Sequence, residues 1–172
     1  MLYYPNDTIQ HAGVILGLGG IAGHPYLRRP RGYPGQTGRA AVVQDLSAVT
    51  AACVVLRRAV FDEVGGFDAA HLSIAYNDID LYLRIRARGY RILWTPHAEL
   101  YHHESASRGQ DADPEAQARF AHEAEYMQQA WGHLLSSDPA YNPNLALDRA
   151  DFSFAYPPRA AKPWLADAAE TP

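Results

Sequence analysis

The sequence predicts an α/β fold, on three observations. Ala48–Arg57 is a continuous apolar run of strand length, an amphipathic helix extends from Asn77 to Gly89, and two more extended segments follow it. Strand, helix and strand in this order are typical of α/β folds. With 172 residues and 48% apolar content, the chain is long enough to bury one core.

The first 47 residues are predicted to form short extended segments and loops. Leu2–Tyr4 is predicted to be a strand and Pro5–Thr8 a turn, because Asn and Asp side chains bond to nearby backbone. Ile9–Leu16 is again extended. The glycines that follow fit neither the dinucleotide-binding nor the phosphate-loop spacing, so a flexible connection is expected. His24–Arg39 has three prolines and three glycines and is predicted to be a solvated, mobile loop.

The centre of the chain begins with Ala48–Arg57, which is predicted to be a strand buried on both faces. Cys53 lies within it and is expected to be a buried, inert thiol. As the single cysteine it excludes an internal disulfide and suits a reducing compartment. Arg58–Val64 is predicted to be a short helix ended by Gly65-Gly66, because glycine accepts left-handed backbone.

The helix that begins at Asn77 carries the first candidate site residues. Asn77 is predicted to cap it, with Asp78 and Asp80 in the first turn, where carboxylates complement the helix dipole. Two residues apart on a helix, these acids point about 200° apart, so one pocket cannot hold both. Arg84 offers Asp80 an ion-pair partner, which leaves Asp78 to act as a general base. The alternative is that both acids only cap the helix.

Two strands and a long helix complete the predicted fold. Tyr90–Thr95 and Ala98–His102 are the strands, and Pro114–His133 is the helix, with Asp113 as its cap. A helical stripe on it is expected to be packing: Phe120, Ala124, Met127 and Trp131.

His102 and His103 are the other candidate site residues. On a strand their side chains would face opposite sides, so only one would enter a cleft, where it could bind a divalent metal or an anion. With Glu104 they do not have the spacing of a structural zinc site. A purely structural role for these histidines is the alternative.

Composition excludes several classes of function. The net charge of −4 gives no electrostatic reason to expect a nucleic-acid partner. No apolar run approaches the roughly 20 residues that cross a bilayer, and no signal peptide is visible. The chain opens in what resembles the middle of a strand, so Met1 is not expected to be the natural beginning of the fold.

Five motifs in order resemble the C-terminal half of the family 2 inverting glycosyltransferases, which have the GT-A fold and use nucleotide sugars. The motifs are Val49–Arg57, Gly65–Asp68, Asn77–Arg84, Gly89–Arg91 with Thr95-Pro96, and Leu100–Ser105. The resemblance covers residues 1–155, including the 138–154 segment, and is to bacterial polysaccharide and O-antigen members. It implies a mixed sheet with flanking helices over 1–155 and a loose Ala/Pro-rich tail at 156–172.

The resemblance also implies roles for the candidate residues. Asp78 matches the general base that deprotonates an acceptor hydroxyl, which then displaces a nucleoside diphosphate with inversion. Residues that match the acceptor side are Gly66, Phe67, Asp68 and Asn77.

One of the two histidines, with His102 favoured over His103, matches a residue that completes a metal site or touches the diphosphate in many members. The implied metal is Mn²⁺ or Mg²⁺, which neutralises charge on the leaving diphosphate.

The sequence departs from the family pattern in two places. Asn77 stands where glutamate is common, although asparagine can still cap the helix. Nothing in residues 1–47 supplies the family's nucleotide-binding strands, and no D-x-D motif precedes Leu46. The chain therefore resembles an acceptor-side half, is expected to be inactive alone, and is expected to hold the metal only together with the missing half.

The partners implied by the resemblance are a nucleotide-sugar donor and a saccharide or lipid-linked glycan acceptor. The expected location is cytoplasmic, with peripheral association of the complete protein at the inner face of the membrane. Two alternatives remain open. One is a catalytically inactive carbohydrate-binding or assembly module of the same fold, and the other is an unrelated histidine-dependent metal hydrolase.

Overall fold

The structure is a computed structural model that describes residues 1–103, 114–160 and 162. Glu104 and Ser105 of the last motif, the predicted cap Asp113 and most of the predicted tail lie outside the described residues. The described strands are β1 Leu2–Tyr3, β2 Ile9–His11, β3 Ile15–Leu16, β4 Ala22–Gly23, β5 Gln44–Leu46, β6 Ile92–Trp94 and β7 Leu100–Tyr101. The helices are α1 Arg58–Glu63, α2 Asn77–Ala87 and α3 Pro114–Ser136, with a short 3₁₀ segment at Gln36–Ala41.

The predicted α/β class with a mixed sheet is confirmed, although the strands form three small sheets. The largest has the order β2-β1-β7, in which β1 is antiparallel to β2 and parallel to β7. The other two are antiparallel pairs, β3 with β4 and β5 with β6. The glycine-rich stretch is the turn of the β3–β4 hairpin.

The three predicted helices are confirmed. α1 ends where Gly65 and Gly66 adopt positive φ values of 81° and 70°, which other residues resist. A Cβ at Gly66 would also lie 3.0 Å from the ring of Phe61, so both the backbone conformation and the nearby ring favour glycine at this position. The chain turns here and returns toward the start of α2.

The predicted strand at Ala48–Arg57 is wrong. Only Ala48 forms a bridge, with Val14, and the chain then enters a turn. Val54–Leu56 has no regular secondary structure, within the described ranges its backbone forms no hydrogen bond, and Val55 is 98% exposed. The physical reason is that β6 pairs with β5, a strand that was not predicted, and leaves this run without a neighbour.

Cys53 is exposed, so the prediction of a buried thiol is also wrong. The prediction of a buried thiol assumes a strand that is covered on both faces. Without that strand the side chain lies at the surface, beside the open Val54–Leu56 segment.

Arg31 is exposed, as predicted for a solvated loop, but its side chain is anchored and not free to move as a mobile loop would. Its guanidinium donates to Asp7 Oδ1 at 3.1 Å, to the Tyr101 hydroxyl at 2.9 Å and to Glu99, and it lies 4.9 Å from the centre of the Tyr3 ring. These contacts tie the loop to the turn after β1 and to β7.

The core is one cluster of buried side chains to which α2, α3 and the strands β1 to β3 all contribute. Asp138, just after α3, is buried and accepts hydrogen bonds from the Leu16 and Ala140 amides at 2.9 and 2.8 Å and from the Ser47 hydroxyl. Buried carboxylates need such donors. Asp138 therefore joins the end of α3 to β3 and to the segment after β5. Side chains that are almost fully buried include Tyr3, Ile9, Leu16, Leu72, Leu81, Leu83 and Met127.

Leu81→Ala tests where the core lies. Leu81 on α2 is fully buried, so the variant is expected to lower the free energy of unfolding by about 2–5 kcal/mol through lost burial and a residual cavity. Val55→Ala, at an exposed side chain, is expected to change it by less than about 0.5 kcal/mol. Urea denaturation measures both, and comparable losses would contradict the assigned burial.

Candidate active site

α2 begins differently from the prediction. The residue that caps it is Tyr76, in left-handed backbone with φ 60° and ψ 4°, and no side chain bonds to the cap. Asn77 is already the first helical residue, so its predicted role as N-cap is wrong. A capping Asn needs extended backbone at its own position, whereas here the left-handed turn at Tyr76 brings the chain directly into the helix.

Asp80 is buried and fully engaged. Its side chain is 3% exposed. Oδ2 accepts from Arg84 Nε at 2.8 Å, and Oδ1 accepts from the Trp131 indole N–H on α3 at 2.9 Å. The predicted i,i+4 pair of Asp80 and Arg84 is confirmed.

Arg84 carries this ion pair to the glycine turn. Its remaining guanidinium nitrogens donate to the Gly66 carbonyl at 2.7 Å and to the Val64 carbonyl. The planar guanidinium presents several donors at fixed angles, which suits such a multiple contact. The glycine turn is therefore held against α2.

Asp78 has different surroundings. It is half-buried, its Oδ2 accepts from the Ala51 amide at 3.1 Å, and its Oδ1 accepts from the Ile79 amide at 2.9 Å. Within the described part of the chain no cation pairs with it. Tyr82, one turn later, is buried, and its hydroxyl has no hydrogen-bond partner there. Burial, with a smaller effect of the Asp78 charge, raises the pKa of Tyr82.

Asp68 organises the chain after the glycine turn. Its Oδ1 accepts from the Ala70 and His71 amides at 3.2 Å, and its Oδ2 accepts from the Tyr126 hydroxyl at 2.9 Å. The His71 ring, 2.9 Å away at Nδ1, stacks on the Tyr126 ring. Burial acts to raise the pKa of Asp68, but the hydrogen bonds from His71 and Tyr126 outweigh it, so the pKa lies below its ordinary value.

The other two predicted acceptor-side residues frame the entrance to α2. Phe67 is 44% exposed and packs edge-on against Phe61, with ring centres 5.6 Å apart. Asn77 is half-buried in the first turn. The structure thus gathers Gly66, Phe67 and Asp68 on one turn that Arg84 links to the helix bearing Asn77 and Asp78.

The two candidate histidines are placed unequally. His102 is half-buried, and its Nδ1 lies 2.8 Å from Gln10 Oε1, while the Gln10 side-chain amide donates to the His102 carbonyl at 3.3 Å. The amide oxygen can only accept, so His102 carries its proton on Nδ1 and leaves Nε2 as the nitrogen able to bind a ligand. His103 is exposed.

Hydrogen bonds made by neighbouring residues connect the surroundings of His102 to those of Asp78. Gln10 is followed by His11, which is buried and whose Nε2 accepts from the Thr50 amide at 3.4 Å. The next amide in the chain, that of Ala51, is the one that donates to Asp78. Burial, followed by the nearby His24, lowers the pKa of His11 well below its ordinary value, so its ring is neutral.

The metal implied by the resemblance does not find a complete site here. Over residues 1–103, 114–160 and 162, no three His, Cys, Asp or Glu side chains come together as ligands would. His102 supplies a single nitrogen with a suitable tautomer. A divalent ion at this point would need ligands from outside the described residues.

Sequence reasoning missed three residues on α3 that hold the site. Trp131 donates to Asp80, Tyr126 donates to Asp68, and Glu123 accepts from the loop before α2. Glu123 lies four residues before Met127 and eight before Trp131, on the face predicted to be packing. A carboxylate inside an apolar helical stripe was the available signal.

The chain is similar to bacterial proteins, some of them named for glycan synthesis. It is 43% identical over 152 residues to the O-antigen biosynthesis protein RfbC of Myxococcus xanthus, covering 87% of this chain and 12% of the relative. It is 35% identical over 63 residues to the N-acetylglucosaminyl-diphospho-decaprenol L-rhamnosyltransferase of Mycobacterium tuberculosis, covering 37% and 20%.

A further relative has a name that carries no function. This is the uncharacterized protein y4gI of Sinorhizobium fredii, 54% identical over 156 residues, which are 91% of this chain and 17% of the relative. The chain therefore spans a fifth or less of the length of these relatives. No family model and no solved structure matches it. No helix among the described residues has the length and apolar character to span a membrane.

Arg84→Met tests whether the buried ion pair supports the site. The variant leaves Asp80 buried without a cation, so the free energy of unfolding is expected to fall by about 3–5 kcal/mol. The control is Arg58→Met, which removes an i,i+4 pair with Asp62 whose side chains are mostly exposed, and should cost less than about 1 kcal/mol. Urea denaturation, which adds no salt, measures both. Equally small losses of unfolding free energy in the two variants would contradict the role of the Asp80–Arg84 pair in supporting the site.

Tyr126→Phe tests the environment of Asp68. Without the hydroxyl donor, the pKa of Asp68 should rise toward its ordinary value of 3.8. A depressed pKa stabilises the fold above the pKa of the unfolded chain, and this contribution is lost as the pH falls through the folded pKa. The stability difference between wild type and variant should therefore narrow below about pH 4.

Carboxyl-carbon NMR titration measures the pKa, and urea denaturation at several pH values measures the stability. Tyr90→Phe is the control, because it removes a hydroxyl donor from Glu63 and should leave Asp68 unchanged. An unaltered Asp68 pKa in Tyr126→Phe would contradict the hydrogen bond.

Proposed function

We propose that this chain is the acceptor-side part of an inverting glycosyltransferase with the GT-A fold, active in bacterial surface-polysaccharide synthesis, with Asp78 as general base. The observation that carries the proposal is the contrast between the acids of the motif. Asp80 is buried and paired with Arg84, and Asp68 is engaged by His71 and Tyr126, whereas Asp78 is held, among the described residues, by backbone amides alone.

Relatives with informative names support this class. The chain is similar to a protein of O-antigen biosynthesis over most of its length and to an L-rhamnosyltransferase over 63 residues. The α/β fold with a mixed sheet is compatible with part of a GT-A enzyme. A nucleotide-sugar donor and a saccharide or lipid-linked glycan acceptor are the substrates that such a reaction needs.

The surroundings of Asp78 suit a base. The Ala51 and Ile79 amides fix the orientation of the carboxylate, each taking one lone pair, so that other lone pairs remain for a substrate hydroxyl. A base must lie within hydrogen-bond reach of the proton that it takes.

The proposed step balances as a displacement. The acceptor O–H proton passes to the Asp78 carboxylate as the acceptor oxygen forms its bond to the anomeric carbon. The bond from that carbon to the diphosphate oxygen breaks on the opposite face, and the nucleoside diphosphate leaves with the electron pair. Attack from the opposite face inverts the anomeric centre.

Residues of the turn after α1 and of the first turn of α2 are proposed to bind the acceptor. Phe67 presents a partly exposed ring on which a sugar face can stack, and Asn77 offers an amide beside the base. Arg84 does not touch the substrate in this proposal, because its donors are engaged by Asp80 and by the Val64 and Gly66 carbonyls.

A divalent metal, Mn²⁺ or Mg²⁺, when bound, would neutralise charge on the diphosphate. His102 is the residue proposed to face it, through Nε2, with the other ligands supplied by parts of the protein beyond the described residues. His103 is the alternative.

Asp78→Asn tests the base in the complete enzyme, the polypeptide that joins this chain to a nucleotide-binding half. Transfer from a panel of nucleoside-diphosphate sugars, including a nucleotide-activated L-rhamnose, is expected to fall about 10²–10⁴-fold, because the amide cannot take the proton. Donor affinity, measured by calorimetry, should stay within about twofold. Asp148→Asn, at an exposed carboxylate, is the matched control and should leave both unchanged.

Equal loss of transfer and donor affinity in Asp78→Asn would contradict the base assignment. Glycan binding by the chain without any transfer, and unaffected by Asp78→Asn, would instead favour an inactive carbohydrate-binding module.

A further inference from the structure

Glu123 is a buried charge that the proposed reaction does not use. Its side chain lies on α3 with about 2% exposure, and no cation among the described residues pairs with it. A charge buried in this way costs free energy unless hydrogen bonds satisfy it. Its donors among the described residues are Ser73, Ile74 and Ala75, which belong to one loop, the segment Ser73–Tyr76 that leads into α2.

Three donors from consecutive residues converge on the Glu123 carboxylate. Oε1 accepts from the Ser73 hydroxyl at 2.8 Å and from the Ile74 amide at 3.1 Å, and Oε2 accepts from the Ala75 amide at 2.7 Å. Burial acts to raise the pKa of Glu123, but these hydrogen bonds lower it by more, so the group is ionised at neutral pH. The loop is thus held at three successive points by a distant helix.

The loop held by Glu123 leads directly into α2, the helix that carries Asp78. Ala75 precedes the left-handed turn at Tyr76, and α2 starts at the next residue. The Tyr76 ring contacts Phe120 on α3, with ring centres 5.4 Å apart. Among the described residues, Tyr76 makes no side-chain cap hydrogen bond, and the Ile79 amide of the first turn bonds to Asp78 itself. The contacts with α3 therefore add to local bonds in fixing the first turn of α2.

α3 also holds the chain on the far side of Asp78. The Trp131 indole donates to Asp80, two residues after Asp78, and Trp131 lies eight residues after Glu123 on the same face of α3. The base therefore lies between two contacts with one rigid helix. A shift of about 1 Å in a reacting group can cost about 100-fold in rate.

We propose that Glu123 is a positioning residue, which fixes the Ser73–Tyr76 loop and thereby sets the place of the Asp78 carboxylate. The inference rests on the proposed function, because it assigns Glu123 the placing of the proposed base. Glu123 itself is assigned no contact with substrate. It differs from a role in stability alone because it predicts an effect on turnover at unchanged donor binding.

The first test is made on the chain itself and requires no substrate. Glu123→Gln keeps the shape but replaces one acceptor oxygen with an NH₂ group that cannot accept from the loop. Hydrogen exchange of the Ile74 and Ala75 amides should quicken about tenfold or more, while the Leu83 amide inside α2 changes little. Glu125→Gln, at an exposed carboxylate on the same helix, should alter neither.

The second test uses the complete enzyme. Glu123→Gln should lower kcat about 10–100-fold with donor affinity within about twofold, whereas Glu125→Gln leaves both unchanged. Ser73→Ala removes one donor from an exposed residue and is tolerated by the fold even if Glu123→Gln is not. It should lower kcat in the same direction, by about twofold to fivefold.

The outcomes separate the two proposals. Exchange of the Ile74 and Ala75 amides at the wild-type rate in Glu123→Gln would overturn the positioning role. Faster exchange in Glu123→Gln with unchanged kcat in both Glu123→Gln and Ser73→Ala would overturn it as well. Transfer lost in Asp78→Asn but retained in Glu123→Gln would refute the positioning role alone. Transfer retained in Asp78→Asn would refute the base assignment, whichever way Glu123→Gln behaves.

Discussion

The buried carboxylate of Asp80 is the constraint on which the rest of this site depends. An unpaired charge at 3% exposure would be strongly unfavourable, so the fold has to bring donors to it. It does so with Arg84 from the same helix and Trp131 from α3. The remaining N–H groups of the Arg84 guanidinium donate to the Val64 and Gly66 carbonyls. Satisfying one acid therefore fixes the relation of two helices and a glycine turn.

The same first turn of α2 contains two acids with opposite environments. Asp80 is neutralised by a cation and closed off from solvent, whereas Asp78 is held by neutral amides and remains half-buried. Helical geometry separates them, because side chains two residues apart leave the axis in different directions. One acid thus holds the structure together and the other remains available for chemistry, and the proposed function depends on this division.

Local patterns predicted the parts of the fold that local interactions decide. The Asp80–Arg84 pair follows from a spacing of four, and the end of α1 follows from Gly65-Gly66. The start of α2 could not be predicted in this way, because its turn at Tyr76 is held by a carboxylate far along the chain, Glu123. Nor could the state of Val54–Leu56, since apolar composition favours a strand but does not supply its neighbour. The partners of Asp78 and His102 could not be predicted locally either, because the Ala51 amide and the Gln10 side chain come from distant parts of the chain.

The open segment Val54–Leu56 has a consequence for handling the protein. Two shallow apolar cavities of about 260 and 250 Å³ flank it and share Val49, Val54, Val55 and Leu93. An exposed apolar stretch whose backbone has no hydrogen-bond partner among the described residues can pair with another chain. Concentrated solutions of this chain are therefore expected to self-associate through this segment. The exposed Cys53 thiol beside it is expected to be open to oxidation.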